Sequence, residues 1–236
     1  MLKSKKGSHI EVVLSFIIFI GFLIFLYPIL IEPAINIKKD NQYLLDNLEI
    51  KLIENISSDL TILSINIDNN SSQNCIRLNN LISDSEINSR IVVKNNPEET
   101  QTSYALENDL EIVRNSVEDV FFKIYYSEEF KELDNTGENP CNPENYTVGL
   151  VRTNEYVFET KIISLAEEYE SNYEKLKERL ELPSKNEFDF SFVYNNKTTI
   201  GIIKEISTNV YAEEIPVQYV NKDGNILLGN IIIRIW

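Results

Sequence analysis

Few residue types in this 236-residue chain could do chemistry. There is one histidine, His9, two cysteines, Cys75 and Cys141, and only seven glycines. A nucleophile-histidine triad or a histidine-ligated metal needs imidazoles where the bulk of the chain has none, because His9 lies close to the start. Two cysteines without histidine do not make a zinc site. Neither G-x-G-x-x-G nor G-x-x-x-x-G-K is present to cradle a phosphate. Carboxylates remain, 37 Asp and Glu against 22 Lys and Arg. Paired acids can hydrolyse glycosides, but nothing in their spacing singles out a pair. The run Asp134-Asn135-Thr136-Gly137-Glu138-Asn139 sets oxygen ligands close together without following the twelve-residue calcium-loop pattern, so it reads as a polar turn. No catalytic residue, metal or cofactor is expected, and the chain reads as non-enzymatic.

Cys75 and Cys141 can pair if the residues around them lie outside the cytoplasm. The bridge would close a loop worth about 4 kcal/mol of chain entropy. The alternative is two independent thiols, one of them in the loop Asn139-Pro140-Cys141-Asn142-Pro143. Asn-x-Ser/Thr sequons at Asn55, Asn69, Asn70, Asn145 and Asn196 fit the same compartment, although the pattern also arises by chance in an Asn-rich chain.

What must position these groups starts with Val12 to Ile31, VVLSFIIFIGFLIFLYPILI, 20 residues without a charge. As a helix it would measure roughly 30 Å, the thickness of a bilayer's hydrocarbon core. Lys3, Lys5 and Lys6 precede it, which predicts a cytoplasmic N-terminus and a single-pass cell-membrane location with the rest of the chain outside. The sequence thus divides into a basic leader over 1–11, a transmembrane helix over 12–31, a juxtamembrane amphipathic helix over 32–59 and an extracytoplasmic α+β domain over 60–236. Beyond residue 31 the chain holds 19 basic and 36 acidic residues, a surface that repels nucleic acid and anionic lipid headgroups.

Glu11 stands at the edge of the apolar run, where an acid helps neither insertion nor orientation. The order Lys5-Lys6, Gly7, a short polar stretch, Glu11 and a long apolar helix containing Pro28 resembles the class III signal of type IV pilins and archaellin-like proteins, over about the first 30 residues. The resemblance implies cleavage beside Gly7, after Lys6, and an intersubunit role for Glu11. Glu11 lies four residues past Gly7 where five is usual, and Ser8 and His9 replace the frequent Gln. An ordinary signal anchor with interfacial polar residues is the other reading.

After the anchor, Leu44, Leu45, Leu48, Leu52, Ile53 and Ile56 recur at helical spacing, and Pro28 and Pro33 predict a kink and restart before them. Apolar or alternating runs at 63–67, 91–93, 120–126, 148–151 and 156–162 predict strands. A second helix is expected from near Ile162 to Pro183. Phe188, Phe190, Phe192 and Tyr194 alternate with Asp189, Ser191 and Val193, a strand with an aromatic face. Another apolar run spans 200–206. Asn221-Lys222-Asp223-Gly224 then marks a hairpin between 215–220 and 226–236. The expected fold is α+β: one transmembrane helix, then a mainly antiparallel β domain with about two helices.

The function these features predict is a membrane-anchored, non-catalytic surface protein, with a pilin-like structural or assembly subunit as its specific form. Its partners would be the lipid bilayer and other pilin-like subunits through the N-terminal helix, with no nucleic acid. The alternative is a monomeric tethered module that binds a glycan, peptide or cation, and a carboxylate-based hydrolase ranks third.

Overall fold

The computed structural model describes residues 8–68, 73–85, 87–135, 141–207 and 209–236, with side chains described for all of these but 8–10 and 28–40. Helix α1, Ser8–Ile56, runs without a break into β1, Ser57–Ile67. β2, Cys75–Leu78, and the one-turn α2, Leu81–Asp84, follow. Next come β3, Ile91–Asn95; β4, Thr100–Leu106; β5, Asp109–Val113; and β6, Phe121–Tyr126. The two-residue β7, Asn142–Pro143, precedes the long β8, Tyr146–Phe158. Helices α3, Glu159–Ser171, and α4, Tyr173–Arg179, separate β8 from β9, Phe188–Tyr194; β10, Thr199–Gly201; β11, Tyr211–Val220; and β12, Ile226–Ile235.

The strands form one twelve-stranded mixed sheet in the order β10-β9-β12-β11-β8-β1-β6-β3-β4-β5-β2-β7. Two ladders are parallel, β8 with β11 and β2 with β7, and each joins only two residue pairs. The others are antiparallel, the longest being β11 with β12 and β1 with β8. Residues 221–225 close the β11–β12 hairpin, where Gly224 takes a φ of 69°.

The core lies in two large blocks and a smaller third cluster. In the first, Leu45, Leu48, Leu52 and Ile56 of α1 meet Ile162, Leu165 and Tyr169 of α3, over Phe188, Phe190 and Phe192 of β9 and Ile231, Ile233 and Ile235 of β12. The helical period of α1 and the two-residue period of β9 and β12 each aim one face at this block. The second gathers Leu63, Ile65 and Ile67 of β1 with Ile76, Leu78, Leu81, Ile91, Leu110, Ile112, Phe122 and Ile124. A third, smaller cluster gathers Leu60 of β1, Tyr125 of β6, Phe158 of β8 and Val220 of β11 with Phe130. The strand residues in it alternate with those of the other two, which puts it on the opposite face of the sheet.

The expected fold class is corrected: the molecule is mostly β, built on a large mixed sheet, and is not an α+β domain hung from one transmembrane helix. Among the described residues no helix is long and apolar enough to cross a membrane. The apolar run is the first part of the 49-residue α1 and not a separate helix. The restart expected at Pro28 and Pro33 is also absent, because α1 is continuous through both. Propagation adds one bond per residue, so a long helix absorbs the bonds that two prolines forfeit.

Elsewhere the runs at 148–151 and 156–162 merge into β8, and α3 starts at Glu159. Asn172 leaves helical geometry at φ −151° and splits the expected second helix into α3 and α4. Of the run at 200–206 only Ile200 and Gly201 enter the sheet, in β10.

Candidate functional site

The most unusual surface is the first half of α1. Val12, Leu14, Phe16, Ile17, Ile18, Phe22, Ile24 and Phe25 are 56–68% exposed. Successive helical residues point about 100° apart, so this stretch is apolar on every side. Further along the same helix, Leu48 and Leu52 are 1% and 0% exposed. One helix therefore carries an ordinary amphipathic half docked on the sheet and an apolar half that nothing in the chain covers among the described residues. A single soluble domain does not leave this much contiguous apolar area in water. Glu11 is exposed at the head of the stretch, in the first turns of α1, where the helix dipole favours a negative charge. Lys6 and Gly7, the expected processing position, lie outside the described residues.

The second unusual surface is one side of β8. Its ladder with β1 runs from Tyr146 to Val157, whereas its other neighbour, β11, reaches it only at Val157 and Phe158. The side of residues 146–156 away from β1 thus has no strand partner among the described residues. Val148, Leu150 and Val151 are 40%, 72% and 53% exposed there. Between Val148 and Val151 the ladder slips around Ser64, whose hydroxyl accepts from Leu150 N at 2.7 Å and donates to Leu150 O at 3.2 Å. A side chain at Gly149 would press on Ser64 Oγ, which explains the glycine at this bulge.

Other edges in the molecule are guarded. β10 and β7, which end the sheet, have three and two residues. The open side of β11 carries Glu213, Glu214 and Pro216. No charge and no proline protects β8 between Tyr146 and Val151.

Concave surface offers little chemistry. A groove of about 750 Å³ is lined by Arg90, Glu107, Phe130, Lys131, Glu132 and Asp134, and its acids are all exposed. Asp134 and Asn135 of the expected polar turn sit on its wall, and Thr136 to Asn139 lie outside the described residues. The most buried acids hold cations instead. Glu111 Oε1 accepts from Arg77 at 2.7 and 2.9 Å, and Asp189 accepts from Nε and Nη2 of Arg234 and from Lys204 N. Among the described residues no group of three His, Cys, Asp or Glu side chains is placed to hold a metal.

Two polar networks escaped the sequence reading. Tyr173 Oη donates to Glu187 at 2.6 Å and accepts Phe188 N, while Lys177, 4% exposed, donates to Glu187 at 2.8 Å. Burial pushes the Tyr173 phenol well above its ordinary value, and the hydrogen bond to Glu187 adds to this. Lys94, 2% exposed, donates to Gly224 O and Asn225 Oδ1 and lies 4.9 Å over the Tyr125 ring, pinning the β11–β12 turn onto β3. Burial lowers its ammonium pKa. Both networks are fully used in holding elements together.

Cys75 and Cys141 form a disulfide, with Cα atoms 4.8 Å apart. It ties β2 to the residue before β7. Comparison of the chain with protein-family models, curated proteins and solved structures finds no match.

Proposed function

We propose that this chain is a membrane-anchored, non-catalytic surface protein that assembles with copies of itself, in the manner of type IV pilin subunits. The observation that carries the reading is the exposed apolar half of α1, which demands lipid or like helices around it. In this reading Glu11, exposed at its head, meets the N-terminal amine of a neighbouring copy after processing beside Gly7. The disulfide supports residence of the sheet domain in an oxidising compartment outside the cytoplasm. The unguarded edge of β8 favours assembly over the rival reading of a monomeric binding module, because exposed apolar edges are strand-pairing surfaces.

The test is fractionation of the producing cells with intact-mass analysis. The chain is expected in the membrane fraction, released by detergent and not by alkaline carbonate, and lacking its first six or seven residues. Recovery in the soluble fraction overturns the anchored reading, and an intact Met1 overturns the pilin-like one.

A further inference from the structure

The structure separates the sequons that the sequence leaves equal. Asn55 lies in the last turn of α1, half-buried, with Nδ2 donating to Lys51 O at 2.7 Å, and its sequon serine, Ser57, is 8% exposed. No enzyme reaches that amide without unwinding the helix that anchors the first core block. Asn145 is exposed but tied down. Its carbonyl accepts Asp68 N, and Thr147 is already in the β1–β8 ladder opposite Asn66. Lifting that segment into another protein's site would break the longest seam at the centre of the sheet. Asn69 and Asn70 lie outside the described residues.

Asn196-Lys197-Thr198 differs in exposure and in place: its backbone bonds, Tyr194 N to Thr198 O and Lys197 N to Tyr194 O, are local to one edge turn and hold no seam at the centre of the sheet. It forms the tip of the turn between β9 and β10, and all three residues are exposed. Thr198 donates from Oγ1 to Asn196 Oδ1 at 2.6 Å and from its amide to the same oxygen at 3.0 Å, which sets hydroxyl and carboxamide side by side. Asn196 Nδ2 makes no hydrogen bond among the described residues. The strand that follows, β10, is the outermost of the sheet and pairs over three positions only. The turn can therefore open at the cost of a few edge bonds.

We propose that Asn196 is the acceptor of an N-linked oligosaccharide. The donor class is a polyprenyl-phosphate-linked oligosaccharide. Asn196 Nδ2 forms a bond to the anomeric carbon, the bond from that carbon to the phosphate oxygen breaks, the lipid phosphate leaves, and the amide gives up one proton to the transferase. No redox partner is needed. This inference rests on the extracytoplasmic placement proposed above.

The experiment translates the full chain into glycosylation-competent microsomes with a reporter sequon on a flexible C-terminal tail, so that placement and acceptor choice are read separately. The expected result is a reporter glycan plus one at Asn196, located by peptide mass spectrometry, with Asn196→Gln and Thr198→Ala each removing one glycan. A glycosylated reporter with Asn196 unmodified, or with the sugar only at Asn55 or Asn145, overturns the proposal and leaves the placement standing. An unmodified reporter overturns the placement and the proposal with it.

Discussion

Glu187 shows how a half-exposed acid can organise a buried cation. Burial pushes its carboxyl up, but hydrogen bonds from Lys177 and Tyr173 outweigh that and hold it below the ordinary carboxylate value of 4.5. A carboxylate depressed on folding stabilises fully above its unfolded value, and the contribution fades as the pH falls through the lower folded value. Glu187→Gln should therefore lower stability at neutral pH, and the gap to the parent should close as the pH drops well below 4.5. Urea unfolding of the full chain in mild detergent across that range checks this, and a pH-independent gap would refute it. Nothing in the sequence marked the network, because Tyr173 and Lys177 look like members of an amphipathic helix and Glu187 like part of a loop. Long-range polar pairs such as Arg77 with Glu111 have no local signature either: 34 residues separate them. The cysteines were legible because only two exist and their chemistry admits a single internal bridge.

Elements were legible where burial is one-sided. β12 buries alternate residues from Gly229 to Ile235 because one face meets α1 and α3. β9 was legible from its alternating aromatic residues although Asp189 and Ser191 between them are buried too, and the hairpin between β11 and β12 announced itself through Asn221 to Gly224. β2, β4 and β5 went unread. β2 has four residues, β4 is mostly polar, and β5 buries Glu111 beside Leu110 and Ile112, so none shows the expected alternation. Their place at the far end of the sheet depends on pairing partners and on the disulfide rather than on local pattern. The two-residue β7 hangs on β2 directly after Cys141. Replacing Cys75 and Cys141 by serine removes a cross-link spanning 66 residues, which at the chain-entropy scale amounts to about 4 kcal/mol. The unfolding midpoint should drop accordingly. Amide exchange should quicken first at Ile76 and Arg77, where β7 lets go, while Ile231 to Ile235 in the other core block keep their protection. Equal loosening of both blocks would show that the sheet responds as one unit.

At the scale of the molecule, α1 belongs to two environments. Its length made the N-terminal run legible as apolar and helical, yet the sequence could not show that the same helix continues through two prolines into the core. That continuity follows from packing: Leu45, Leu48, Leu52 and Ile56 find their partners on α3, β9 and β12, some 110 to 190 residues later in the chain. The core needs the helix only from about Leu44 onward, and nothing before Tyr27 contributes to a core block among the described residues. A chain beginning at Asn41 should consequently be soluble, fold with the same near-ultraviolet tyrosine signal and the same unfolding midpoint as the full chain, and stay out of the membrane fraction. A chain beginning at Ser57 loses four side chains that are 0–2% exposed, and burial of that kind is worth about 1.5–3 kcal/mol per side chain. Since such a loss rivals the whole stability of a domain, about 5–15 kcal/mol, the β9–β12 block should melt while β1 to β6 retain part of their protection. If the chain from Asn41 aggregates or unfolds, the exposed half of α1 is a structural part of the fold and its role as an assembly surface fails.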